Sequence, residues 1–319
     1  MDAIFQPLLA CPACAGALTL DWRCASCDAA YAVSEDVADL RLPGDERTET
    51  VRAFYTEAPF PGYPPHASLS WLRARAGLSP FARALDRAIA PDARIAEIGC
   101  GTGQMSLYLA HGDRVVIGAD LTRASLLLAT GAAKDFGIGR ALFVETDLFA
   151  PGLRDSAFDV VYCSGVLHHT PDPRAAFRRI ARLARPGGMI VIGLYNGFAR
   201  IPLRLRRIVA RLTAGRWIPG DPVLKDRTTE AERHRAWLRD QYCHPLEHCH
   251  TLAEVRRWFG ENGITYVRSY PSALLGGSEA DALLADQTGG WFLEEWITQC
   301  KWMTSIGREG GLFVTVGIA

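Results

Sequence analysis

The sequence predicts an α/β protein, a doubly wound sheet of seven strands with helices on both faces, preceded by a small cysteine-bound module. Three observations carry this. From about residue 79 onward, short apolar runs alternate with helical patterns, as βαβ units require. The first of those runs ends in a glycine-rich turn, Gly99-Cys100-Gly101-Thr102-Gly103. Four of the nine cysteines fall near the N-terminus as two C-x-x-C pairs.

The N-terminal module spans 1–43. Cys11-Pro12-Ala13-Cys14 and Cys24-Ala25-Ser26-Cys27 are separated by nine residues. Each pair shapes one knuckle, and two knuckles close a tetrahedral four-thiolate site. Such a site is closed, so it reads as structural zinc held by Cys11, Cys14, Cys24 and Cys27. A linker, 44–78, follows, with a charged run and then a stretch rich in proline and aromatics around Phe54, Tyr55, Phe60 and Tyr63.

The third region, 79–319, holds the sheet. Strands are expected at 94–98, 114–119, 141–145, 158–164, 189–195, 264–269 and 312–317. Helices are expected at 104–110, 123–134, 173–185 and 252–262. In the third of these, Phe177, Ile180 and Ala184 share one face. An insertion of about 198–250 separates the fifth strand from the last helix. The Trp-rich stretch containing Trp291, Trp296 and Trp302 reads as packing or as a homodimer contact.

Composition narrows the class. The 319 residues are 49% hydrophobic and 22% charged, the mix of a soluble globular protein. Thirty-five basic residues balance thirty-five acidic ones, which argues against an indiscriminate nucleic-acid binder. No apolar run is long enough for a membrane span, and the first ten residues lack the pattern of a secretory signal. The expected compartment is the cytoplasm, where clustered thiols bind metal rather than pair as disulfides.

Glycines at alternate positions let the backbone approach a ligand closely, and the helix N-terminus behind them favours an anionic group. A dinucleotide fingerprint would need glycine where Gln104 stands, so a nicotinamide dehydrogenase is disfavoured. The second strand ends at Asp120, placed to accept hydrogen bonds from a ribose, and the third ends in Asp147-Leu148. From about Ser79 onward the chain resembles class I S-adenosylmethionine-dependent methyltransferases. The resemblance rests on Glu97 through Gly103, Asp120, Asp147, the run from Phe158 to His169 and the Pro186-Gly187-Gly188 turn. It implies that Gly99, Gly101 and Gly103 hold the methionine part of S-adenosylmethionine, with Glu97 also binding the cofactor. It also implies Asp120 for the ribose, Asp147 and Leu148 for the adenine, and Cys163 beneath the cofactor. The linker aromatics would fold over a sulfonium as a lid. The cysteine module resembles the small zinc-ribbon proteins that activate tRNA, rRNA and release-factor methyltransferases.

For the acceptor side the candidates are His168, Tyr195 and Asn196 at the sheet edge, and Tyr242 and His244 at the end of the insertion. Either His168 or His169 could serve as a general base. Residues 1–50 carry nine acids against three arginines and would repel phosphates. That module is therefore expected to dock on its own catalytic domain or on a partner. Residues 173–220 hold eleven arginines and no acid, and include a basic amphipathic helix with Ile201, Leu205, Ile208 and Leu212 on one face. The expected function is methyl transfer to a small-molecule acceptor in biosynthesis. RNA methylation is the first alternative. A non-catalytic regulatory or scaffold protein that binds the cofactor is the second.

Overall fold

The computed structural model describes residues 1–42, 48–56, 62–64, 66–214, 217–221, 238, 241–242, 246–275, 277, 283–285, 292–306 and 310–319. Among the described residues, nine strands form one sheet. They are β1 (Val33–Ser34), β2 (Val37–Asp39), β3 (Arg94–Ile98), β4 (Val115–Asp120), β5 (Ala141–Glu145), β6 (Phe158–Ser164), β7 (Ala184–Tyr195), β8 (Thr265–Tyr270) and β9 (Leu312–Ile318). Their order is β1-β2-β5-β4-β3-β6-β7-β9-β8. Strands β2 to β7 pair in parallel, while β9 runs antiparallel between β7 and β8.

The count of seven strands is therefore corrected to nine. The two extra strands are a hairpin at the end of the cysteine module, too short to show a periodicity. Strand β2 adds to the edge of β5, with Ala38 opposite Val144 and Asp39 opposite Glu145. The module is stitched on at a second place: Leu9 bridges Leu153, and Ala10 N–H donates to the Gly152 carbonyl at 2.9 Å. Leu8, Leu9, Leu18 and Leu40 are buried in one core with Ile117, Val144 and Leu153. Charge follows the same path. Lys134 pairs with Asp36, and Arg123 donates to the Ser34 carbonyl at 2.5 Å.

Helices cover both faces. They are α1 (Glu49–Thr56), α2 (Leu69–Gly77), α3 (Pro80–Ala88), α4 (Gln104–Leu109), α5 (Arg123–Asp135), α6 (Pro173–Ala181), α7 (Ile201–Leu212), α8 (Leu252–Glu261) and α9 (Phe292–Ser305). Leu85, Leu107 and Leu126 from α3, α4 and α5 pack on Ile95, Val116 and Val160. On the opposite face Phe177 and Ile180 of α6 and Phe259 of α8 pack on Val161 and Ile190. The linker contains α1 and α2. One expectation changes here. Helix α6 stops at Ala181, and Ala184 instead begins β7, opposite Phe158. The helix is capped at Arg182, and the Pro186-Gly187-Gly188 run lies within β7, where a Cβ at Gly188 would lie 2.8 Å from the Arg185 carbonyl oxygen and 3.0 Å from that of Phe158.

The insertion leaves the sheet just after β7 and returns before α8. Its ends are clamped together, because His250 N–H donates to the Tyr195 carbonyl at 2.8 Å and Gly197 N–H to that of His250 at 3.0 Å. In the Trp-rich stretch, Trp302 of α9 is buried against Phe313, with ring centroids 5.6 Å apart. The same helix leaves Trp296 half exposed.

Candidate active site

Strand β3 pairs with β4 on one side and β6 on the other, so the chain order reverses there. A crevice opens at the carboxyl ends of strands at such a point. It is occupied here by a cavity of about 860 Å³, lined by the ends of β3, β4, β6 and β7 and by α1. That volume suits a cofactor together with a small acceptor.

The glycine loop leads from β3 into α4. Gly99 and Gly103 both have left-handed φ, +72° and +76°. A Cβ at Gly99 would meet Val166 Cγ2 at 2.1 Å, and one at Gly103 would meet Ala129 and Phe143 at 2.8 Å. Gly99 and Gly101 line the cavity, whereas Gly103 does not. The part played by Gly103 is to let α4 sit close to α5 and β5.

Three carboxyl groups stand at three neighbouring strand ends. Glu97 is buried on β3 and accepts a hydrogen bond from Ser106. Burial, with the nearby Asp120 charge acting in the same direction, raises its pKa to about 8. Asp120 closes β4 and accepts from Gly101 N–H and Thr122 N–H, both at 2.8 Å. Burial raises its pKa too, while those amides pull it down. Asp147 accepts from Phe149 N–H at 2.9 Å and from the Thr48 hydroxyl at 2.5 Å. All three line the cavity, as does Leu148.

The raised Glu97 pKa has a consequence for stability. An unfolded glutamate titrates near 4.5, so the folded chain holds this proton more tightly between that pH and about 8. Stability from this group is present below pH 4.5 and is lost as pH rises to about 8. The cofactor-free Glu97→Gln variant is expected to lose less thermal stability between pH 5 and pH 8 than the wild type (approximate bounds of that titration). Parallel melting curves in calorimetry would erase this role for Glu97.

The linker lies over the loop. The Tyr63 hydroxyl donates to the Thr102 carbonyl at 2.8 Å, and Gln104 Nε2 donates to the Gly62 carbonyl at 3.1 Å. Tyr63 also packs its ring on Trp71 and Phe136. Thr48, Val51 and Tyr55 line the cavity from α1 and the residue before it. Phe54 packs edge-on against Tyr55, and Phe60 lies outside the described residues.

The acceptor side differs most from expectation. Tyr195 lines the cavity, and its hydroxyl accepts from Gln241 Nε2 at 3.0 Å. His168 does not line it. Its ring is fully buried and stacks on Tyr195 at 3.8 Å between centroids. His169 takes the wall position instead. Its Nδ1 lies 2.8 Å from the Leu246 carbonyl oxygen, which can only accept. In the neutral ring Nδ1 therefore carries the proton and Nε2 is the basic nitrogen.

Asn196 is buried away from the cavity. It caps the following turn through Phe198 N–H and Ala199 N–H, both at 3.0 Å, and donates to Gln299. Tyr242 points to Asp221, with its hydroxyl 2.6 Å from the carboxylate, and does not reach the cavity. Cys163 is fully buried inside β6 and does not line the cavity either. Alternation along a strand turns its side chain to the opposite face from Ser164, which does line it. His244 lies outside the described residues.

The four N-terminal cysteines converge. Their Sγ atoms all lie within 4.8 Å of one another, with Cys14 and Cys24 at 3.4 Å and Cys11 and Cys27 at 3.7 Å. A tetrahedral ion with bonds of about 2.3 Å to each thiolate needs sulfurs spaced about 3.8 Å apart. The Tyr31 hydroxyl lies 2.8 Å from Cys11 Sγ, and Ser26 N–H donates to Cys24 Sγ at 3.4 Å. The donor set and its spacing fit zinc.

Among the residues missed by sequence reasoning, Thr48 and Gln241 gave no signal, since contacts across about 100 and 46 positions place them. Tyr270, which ends β8 and also lines the cavity, lies one residue beyond the strand expected at 264–269.

Residues 96–192 match the family described as a methyltransferase domain. An uncharacterized protein of Synechococcus sp. is 28% identical over 274 residues, 74% of this chain and 64% of that protein. A ubiquinone biosynthesis O-methyltransferase of Paracidovorax citrulli is 32% identical over 108 residues, 34% of this chain and 45% of that enzyme. The chain thus spans less than two thirds of the length of either relative. The solved structure of an S-adenosylmethionine-dependent methyltransferase from Mesorhizobium loti aligns over 76% of this chain and 100% of that one. Its identity is 18% and its TM-score 0.49.

Proposed function

We propose, for a chain that carries an S-adenosylmethionine-dependent methyltransferase domain, that it methylates a small-molecule acceptor held in the 860 Å³ cavity. The observation that carries this reading is the row of carboxyl groups at adjoining strand ends beside the glycine loop, Glu97 and Asp147 buried and Asp120 half-buried between them. Such a wall favours a ligand with a cationic centre and several hydroxyl donors over a phosphate-bearing one.

In this reading Glu97 and the backbone of Gly99 and Gly101 bind the methionine end. Asp120 accepts from the ribose hydroxyls, and Asp147 and Leu148 border the adenine. The cofactor supplies a methyl group already activated on a sulfonium, so the protein's task is alignment. Tyr55 and Tyr195 narrow the acceptor end. His169 Nε2 receives the proton that a hydroxyl acceptor gives up, and the Leu246 carbonyl holds the ring for that role. A hydroxyl oxygen is favoured because relatives matching a third of this chain are O-methyltransferases. We assign zinc to the Cys11, Cys14, Cys24 and Cys27 cluster as a structural ion.

A small acceptor is preferred to RNA because six of the eleven arginines in 173–220 are held in internal pairs. Arg174 pairs with Glu261, Arg179 and Arg182 with Asp155, Arg185 with Asp159, and Arg200 and Arg207 with Glu247.

The test is methyl transfer from tritiated S-adenosylmethionine into fractionated extract of the source cells. Label in the small-molecule fraction is the expected result, and His169→Asn should abolish most of it while leaving cofactor affinity unchanged. Label in ribonuclease-sensitive, acid-precipitable material would replace this reading with RNA methylation. Cofactor binding with no transfer into either fraction would favour a regulatory protein.

A further inference from the structure

Helix α7 has its apolar stripe on the wrong side for core packing. Ile201, Leu205, Ile208 and Leu212 recur at intervals of four, three and four and form one line along the helix. They are 39%, 59%, 53% and 81% exposed. A helix of a globular protein ordinarily turns such a stripe inward. Here the inner face is Leu203, which is buried, and Arg207, whose guanidinium pairs with Glu247 at 2.6 Å and donates to the Gln241 carbonyl at 2.7 Å. Arg200, at the helix start, is fully buried, bonds the same Glu247, and lies over the Tyr195 ring at 3.7 Å. The helix is thus fixed by its polar side, with its apolar side outward.

We propose that the outer face of α7 docks on an anionic lipid surface, with the helix lying flat in the headgroup region. The flanking charge identifies the occupant. Arg204 and Arg211 are exposed and stand one above the other beside the stripe; Arg204 bonds the Cys249 thiol, and neither pairs with a carboxylate among the described residues. Residues 173–220 contain no acid that could repel such a surface. An apolar line bordered by guanidinium groups matches the boundary between acyl chains and lipid phosphates. Tryptophans, which favour that boundary, stand at both ends of the helix. Trp217, 62% exposed, follows its C-terminus, and Trp296, half exposed, packs on Phe198 just before its start. Twelve residues make a contact of about 18 Å, and no helix among the described residues is long and apolar enough to cross a bilayer. A second copy of the chain is the poorer occupant. A two-fold contact through this face would set Arg204 and Arg211 against their own equivalents with no acid on the helix to offset them.

The experiment is flotation of the full chain with vesicles of phosphatidylcholine alone, or mixed in equal parts with phosphatidylglycerol. Binding to the mixed vesicles, weakening with salt, is expected. Leu205→Glu with Ile208→Glu should reduce it by about tenfold or more. Arg204→Gln with Arg211→Gln should remove the preference for phosphatidylglycerol. These positions are exposed, and unchanged calorimetric affinity for S-adenosylmethionine would show that the fold is kept. As a second readout, vesicles should shift to the blue the fluorescence that the Trp217→Phe variant lacks. Absence of vesicle binding, or equal binding by the glutamate variant, overturns the proposal. So does a dimer in analytical ultracentrifugation that the glutamate variant disperses without any vesicle binding. Because no acceptor is present, the result stands apart from the methyl-transfer reading.

Discussion

Asp120→Ala is expected to weaken S-adenosylmethionine binding by about 100-fold, read by isothermal titration calorimetry. A carboxylate accepting from two ribose hydroxyls makes two charge-assisted bonds, each worth about 1.5 kcal/mol or more. At about 1.4 kcal/mol per tenfold in affinity, their loss alone accounts for two orders of magnitude. A further loss is internal. Gly101 N–H and Thr122 N–H both donate to this carboxylate, so alanine strands two amides and loosens the turn that shapes the glycine loop. Asp120→Asn keeps one acceptor oxygen and should fall between the two. A folded alanine variant that binds as well as wild type would remove Asp120 from the cofactor site.

Removing the zinc proposed for the cysteine cluster, by exhaustive chelation or by Cys24→Ser, is expected to lower the melting temperature by about 10 °C. Leu18 and Trp22 are buried only because the two knuckles fold between the cysteine pairs. Exposing two such side chains costs roughly 3–5 kcal/mol, and each kcal/mol shifts a chain of this size by about 2–4 °C. The effect should reach the cavity. Leu40 N–H donates to the Glu145 carbonyl at 2.8 Å, and Arg41 pairs with the Glu145 carboxylate at 3.2 Å, two residues before Asp147. Stripping β2 from β5 also bares a sheet edge, so the zinc-free chain should aggregate sooner on heating. Scanning calorimetry with metal analysis checks both. An unchanged melt in protein shown to be zinc-free would mean that the thiols pack without an ion.

Much of the molecule is local information. The strands that form the centre of the sheet read directly from apolar runs, because both faces of a parallel sheet are buried and leave no polar alternation to confuse them. The glycine loop, Asp120 and Asp147 could be placed at strand ends for the same reason. Once the strands are located, the carboxyl edge of the sheet follows, and ligand-facing residues sit there. The two C-x-x-C pairs were equally plain, since a tetrahedral ion constrains spacing within each knuckle.

What remained hidden is what depends on direction or distance. Between the neighbours His168 and His169, one is stacked beneath Tyr195 and the other lines the cavity, and only the short 3-10 turn over Leu167–His169 decides which. Asn196 and Tyr242 were credible acceptor residues by type, yet their polar atoms are committed to a turn and to Asp221. The union of the cysteine module with the sheet edge, through a strand of three residues, carries no periodicity at all. Likewise the apolar stripe of α7 is visible in the sequence, but amphipathicity fixes only that two faces differ. Which face turns inward is settled by the Arg200, Glu247 and Arg207 network. The sequence by itself thus determined the fold class, the sheet edge where the cavity opens and the convergence of the four cysteines, all set by local pattern. The tertiary structure alone decided the acceptor wall and the outward face of α7, because long-range hydrogen bonds and ion pairs place them.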